Sequence, residues 1–146
     1  MTTTQPNLNL ESLYRPLWLT YGLVPLLAGL DKFLNLLTNW EKYASPLLLD
    51  VVPLSAGTLM RAAGLIEIVV GIAVLAGVSR VGGYVITAWL TLIALSLLTT
   101  GQFFDVAVRD LVMACGAFAL ARLSEVRQES PGHSTRRVPS LRADPV

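Results

Sequence analysis

The chain has 146 residues, 53% of them hydrophobic and only 14% charged, with a formal net charge of +1 and a mean hydropathy of +0.60. A soluble domain carries roughly a quarter charged residues, so this balance argues against a water-soluble fold and for one integral membrane domain. No basic stripe or recognition motif points to nucleic acid, and one cysteine (Cys115) with one histidine (His133) leaves no disulfide, Cys-x-x-Cys pair, bound metal or haem to expect.

Residues 1–12 are polar and lack the basic start of a signal peptide, so they read as a short N-terminal tail. Residues 13–123 hold four apolar segments, at about 16–37, 57–78, 81–100 and 106–123. The first would rise ~33 Å as a helix, enough to cross a bilayer, with a kink expected at Pro25. Trp18 and Tyr21 near one end, and Trp40 and Tyr43 past the other, fit an aromatic belt at each interface. Residues 39–56 are too apolar for a free loop and too proline-broken to span, so they read as an interfacial or re-entrant segment. A sharp reverse is expected at Ser79-Arg80 and a tight turn over Gly101–Asp105. Cys115, in an apolar run, reads as a packing residue. Residues 124–146, polar and with three prolines, are expected to be a disordered tail. The fold class is therefore an all-α, four-helix membrane bundle.

Four spans put both termini on one side. Arg80, Arg122, Arg127, Arg136, Arg137 and Arg142 collect there, which places both termini in the cytoplasm, with a bacterial-type inner membrane as the setting. At the opposite level fall Asp31 and Lys32, Arg61 and Glu67, and Asp105, Arg109 and Asp110. Four acids against three bases suggest a paired polar layer in the outer half of the bundle rather than a one-sign channel ring. Gly22, Gly29 and Lys32 fall near one face of the first helix, with Asp31 about 100° away. Gly64, Glu67 and Gly71 share a face of the second, and Arg109, Met113 and Gly116 a face of the fourth. Small residues on such faces let neighbouring helices approach closely and leave self-association open.

Glu67 is the informative member. It sits about 9 Å along its helix from Arg61, too deep for a short side chain to reach headgroups. A charge at that depth costs on the order of 2.5–3.5 kcal/mol on insertion scales, so it marks either a structural salt bridge or a site. The other residues have plainer readings beside the functional one. Arg61 can snorkel to the interface, Lys32 can anchor there, and Asp105 can pair with Arg109 along one helix turn.

Gly29-Leu-Asp-Lys-Phe33, Gly64-Leu-Ile-Glu-Ile68 with Gly71, and Arg109-Asp-Leu111 together resemble the DoxX/DoxD family of small four-helix membrane proteins, over about residues 13–123. The resemblance implies a four-helix bundle associated with redox complexes, one branch partnering a thiosulfate:quinone oxidoreductase. It also makes Lys32, Glu67, Arg109 and Asp110 the polar core. The expected function is a subunit or anchor of a redox-linked membrane complex, in contact with lipid and other complex subunits, with quinone as the candidate ligand. A small proton-coupled transporter and a purely structural scaffold are the alternatives; no catalytic residue is assigned.

Overall fold

The computed structural model describes residues 10–129, and every regular element among them is helical. Helix α1 spans Leu10–Leu34 and runs through both Pro16 and Pro25. A proline inside an apolar helix frees a carbonyl, which neighbouring helices or local adjustment can satisfy, so Pro25 does not end it. The end comes at Leu34 instead, three residues before the expected boundary. The Asp31 carboxylate turns back to accept the backbone N–H of Leu36 (2.9 Å) and Leu37 (3.1 Å), and Asn35 takes a left-handed φ of 51°. Asparagine tolerates that conformation better than most residues.

The connection that follows holds a short 3-10 turn, Trp40–Tyr43, and a six-residue helix α2, Pro46–Val51. Ser45 between them is almost fully buried and shares a hydrogen bond of 2.7 Å with the Thr99 hydroxyl. The segment is thereby tied to the chain around Thr99. Helix α3 spans Ala56–Leu75, with the Ser55 side chain accepting the Thr58 N–H at 3.2 Å as its N-cap.

The reverse into α4 (Ser79–Leu98) falls at Ala76–Val78, earlier than expected. Val78 N–H bonds the Ala73 carbonyl and Gly77 N–H the Val74 carbonyl, with Gly77 at φ 97°. This is a glycine-terminated Schellman turn, and it leaves Ser79 free to start the next helix. Helix α5 spans Phe104–Glu129. Residues 124–129, expected in the disordered tail, are thus helical. Glu125 accepts hydrogen bonds from Arg80 and Tyr84 and pairs with Arg122, while Arg127 pairs with Glu11 at 3.0 Å and lies over the Tyr14 ring. These partners hold polar residues in a helix that composition alone would release. The rest of the predicted tail, and residues 1–9 of the N-terminal one, lie outside the described residues.

Helices α1, α3 and α4 are each long and apolar enough to cross a membrane. In α5 the charges of Asp105, Arg109 and Asp110 at one end and Arg122, Glu125 and Arg127 at the other bracket a shorter apolar stretch. Large apolar side chains face outward along all four long helices, among them Leu27, Val69, Leu92 and Val112. In water that surface would be a liability; against lipid it is the expected exterior. Cys115 is also on this exterior and does not pack in the core.

The long helices associate as two close pairs, α1 with α3 and α4 with α5. Glycine faces make the first pair. A Cβ on Gly64 would lie 2.7 Å from the Gly29 carbonyl oxygen, and one on Gly71 would lie 2.7 Å from that of Gly22. The Gly22/Gly29/Lys32 face of α1 therefore meets the Gly64/Glu67/Gly71 face of α3, as their spacing anticipates. Tyr14, Tyr21, Val74, Ile86, Ala117 and Leu120 join the two pairs in a core. At that end Tyr14 and Ser79 hydroxyls bond at 2.7 Å, and the Trp18 indole N–H donates to the Val74 carbonyl at 2.7 Å. Glu11 meeting Arg127 puts the start of α1 and the end of α5 side by side.

Candidate functional site

The far end of the molecule is built differently. There the two helix pairs stand apart and enclose a cavity of about 580 Å³, lined by all four long helices and covered by the connection from Leu37 to Leu48. Its walls are mostly apolar, from residues such as Val24, Ala28, Met60, Val70, Ile93 and Met113. Into this space project Lys32 from α1, Glu67 from α3, Trp89 from α4, and Arg109 and Asp110 from α5.

Lys32 and Glu67 form an ion pair of 2.6 Å between side chains only 7% and 9% exposed. Their helices are held close by the Gly29–Gly64 contact about one turn away, and by Gly22 against Gly71 further along, so the pair has little freedom to separate. The Lys32 ammonium also sits 3.9 Å over the Trp40 ring, a cation–π contact. Trp40 in turn donates its indole N–H to Asp31 at 2.7 Å. On the other oxygen of Glu67, the Trp89 indole N–H donates at a long 3.4 Å. Each Glu67 oxygen thus has a donor, from opposite helix pairs.

Asp110 is buried, and its one partner among the described residues is the neighbouring Arg109, at 3.6 Å from guanidinium Nε to carboxylate oxygen. The Arg109 side chain is mostly exposed and stands at the edge of the cavity. Tyr21 closes the floor, donating its hydroxyl to the Met113 carbonyl at 2.7 Å against Gly116.

The seven residues anticipated as a polar network therefore divide. Lys32, Glu67 and Asp110 come together around the cavity, with Arg109 at its edge. Asp31 is buried beside them, but its carboxylate is occupied in ending α1 and holding Trp40. Arg61 and Asp105 do not join. Both are exposed with no ion-pair partner among the described residues, and Arg109 pairs with Asp110 instead of Asp105 four residues away. In α3, Arg61 lies six residues from Glu67, which rotates it to another side of the helix.

Two members escape a reading based on charge. Trp40 looks like an interfacial belt residue, yet it packs over Lys32. Trp89 lies in the expected span 81–100, which holds no charged residue, and the indole N–H is the one polar group of its side chain. A tryptophan within a span whose neighbours carry an intramembrane acid is the signal that would have found it. The hydroxyls of Thr87 and Thr91, by contrast, bond back to their own helix at Gly83 and Thr87.

Chemically the arrangement offers a mostly apolar chamber with Lys32, two acids and two indoles along its wall and a second cation, Arg109, at its edge. Such a chamber suits an amphiphilic molecule with a compact polar head. No family model, curated protein or solved structure matches the chain.

Proposed function

We propose that this chain is a DoxX-like integral membrane protein whose four long helices all cross the bilayer as a bundle, with both termini cytoplasmic, and which binds a quinone-class ligand as a subunit or anchor of a redox-linked complex. The observation that carries this reading is the cavity itself. Its volume lies within the ~300–1,000 Å³ of small-molecule sites, and it joins apolar walls to a few convergent polar groups.

The residues present fit a quinone head. Lys32 has three N–H donors and spends one on Glu67, so others are available to a carbonyl oxygen. The Trp89 N–H is weakly engaged at 3.4 Å and can turn to a better acceptor. Glu67 and Asp110 can accept hydrogen bonds from hydroxyl groups of the reduced form. When bound, a quinone supplies two-electron, two-proton redox chemistry; the electrons would come from a partner subunit. Lys32 and Arg109 favour an electron-rich head, and Trp40 and Tyr43 keep water from it.

The test is organic extraction of protein purified in mild detergent, with quinone quantified by mass spectrometry against a membrane protein of similar size from the same preparation. Quinone is expected in roughly stoichiometric amount and depleted in Asp110→Leu. Equal amounts in the wild type and the control protein refute the reading.

A further inference from the structure

The cavity is a slot between two helix pairs, so it has two sides, and the sides are chemically unlike. On the side between α1 and α5, Val24 and Arg109 stand at the edge, and the exposed guanidinium is charged. On the side between α3 and α4, Ile66 and Leu92 line the cavity while remaining 40% and 58% exposed to the outside. A side chain that is both wall and exterior marks an opening, and Val24, 41% exposed, marks one on the α1–α5 side as well, but there beside the charge of Arg109. Helices α3 and α4 are joined tightly at their Gly77 turn, where Val74 fills the place a Gly82 side chain would take. They meet far less than the members of each close pair do, and α1 and α5 meet as little, so the two sides of the slot differ in charge rather than in closeness. Around Ile66 and Leu92 the cavity-lining residues of α3 and α4 carry no charge, among the described residues, except Glu67, which points inward to Lys32.

From this asymmetry we infer that the α3–α4 seam is a lateral portal through which the apolar tail of the ligand leaves the cavity into the bilayer, its head resting against Lys32, Glu67 and Asp110. The inference rests on the quinone-site reading above and extends it to a ligand class: a compact head carrying a linear tail. A chamber of about 580 Å³ holds a head and a few methylene units but not a long prenyl chain, so a tail must exit. The α1–α5 edge, with Arg109, disfavours an apolar tail, whereas the exposed wall residues of the α3–α4 seam, Ile66 and Leu92, are apolar.

The experiment compares two probes, a benzoquinone bearing a decyl tail and the same head without one. Binding is read in detergent micelles from quenching of tryptophan fluorescence, since Trp40 and Trp89 both line the cavity. In the wild type the tailed probe should bind at least about tenfold more tightly. In Ile66→Phe/Leu92→Phe, which fills the seam at two exposed positions, that advantage should fall to about twofold or less, with the tailless probe still quenching. Val24→Phe on the opposite side should keep the full ratio. Loss of the ratio in Val24→Phe with its retention in the double variant overturns the portal while leaving the site standing. Absence of quenching by either probe in the wild type overturns the site itself.

Discussion

Removing one member of the Lys32–Glu67 pair should cost far more than removing both. At 2.6 Å and an effective dielectric of ~20, the attraction is about 6 kcal/mol, and the desolvation of two ions is several kcal/mol each. The pair is therefore close to neutral in the balance, but a lone survivor is not. Lys32→Met strands a carboxylate among apolar helices, with the long Trp89 contact its one remaining hydrogen bond among the described residues. Glu67→Leu strands an ammonium over the Trp40 ring. Each single variant should lose about 3 kcal/mol, the low end of the range for breaking buried pairs, because the cavity can admit some water. The double variant Lys32→Met/Glu67→Leu should return to within about 1 kcal/mol of wild type, since two apolar side chains then fill the same contact. Equilibrium unfolding in mixed micelles, titrated with a denaturing detergent and followed by far-UV circular dichroism, measures all four. If the double variant loses the sum of the single losses, the two residues do not act as a pair, and the argument fails.

Gly64→Ala should force α1 and α3 apart, because the new methyl would lie 2.7 Å from the Gly29 carbonyl oxygen; a loss of about 1–3 kcal/mol in the same unfolding assay is expected. Tyr14→Phe removes the 2.7 Å bond to Ser79 at the opposite end and should cost about 1 kcal/mol without changing quinone content. Trp40→Phe keeps a ring over Lys32 and deletes the bond to Asp31, so it should destabilise by about 1 kcal/mol. Its quenching signal with the tailless probe should persist through Trp89.

How much of this could be read from the chain depends on what kind of signal each feature leaves. The long helices are legible because an apolar run of span length has few alternatives. The α1–α3 contact is legible too, since Gly22, Gly29, Gly64 and Gly71 recur at intervals that put them on facing stripes. The ends were less so. Helix α1 stops at Leu34 because Asp31 folds back on Leu36 and Leu37, a local hydrogen bond that hydropathy does not register. Helix α5 continues to Glu129 because Glu125 and Arg127 find partners on α4 and α1, which are distant in sequence. In the polar layer, depth alone put Arg61 and Asp105 beside Glu67. Rotation about the helix decides membership, and it turns both outward.

The composition of the cavity wall also bears on whether the polar cluster is a site or a brace. A brace between α1 and α3 needs only Lys32 and Glu67, which already satisfy each other within one helix pair. It gives no reason for α4 to aim Trp89 at the same carboxylate across the slot, nor for α5 to bury Asp110 with Arg109 as its one ion-pair partner among the described residues. Burying an acid is costly unless something in the chamber compensates, and a bound head with a donor hydroxyl would do so. The double variant that restores stability separates the two roles. A brace predicts that Lys32→Met/Glu67→Leu, once it folds as well as wild type, behaves as wild type in every respect. A site predicts a stable protein that no longer quenches with the tailless probe, because the stability of the fold and the recognition of the head then depend on different properties of the same two side chains.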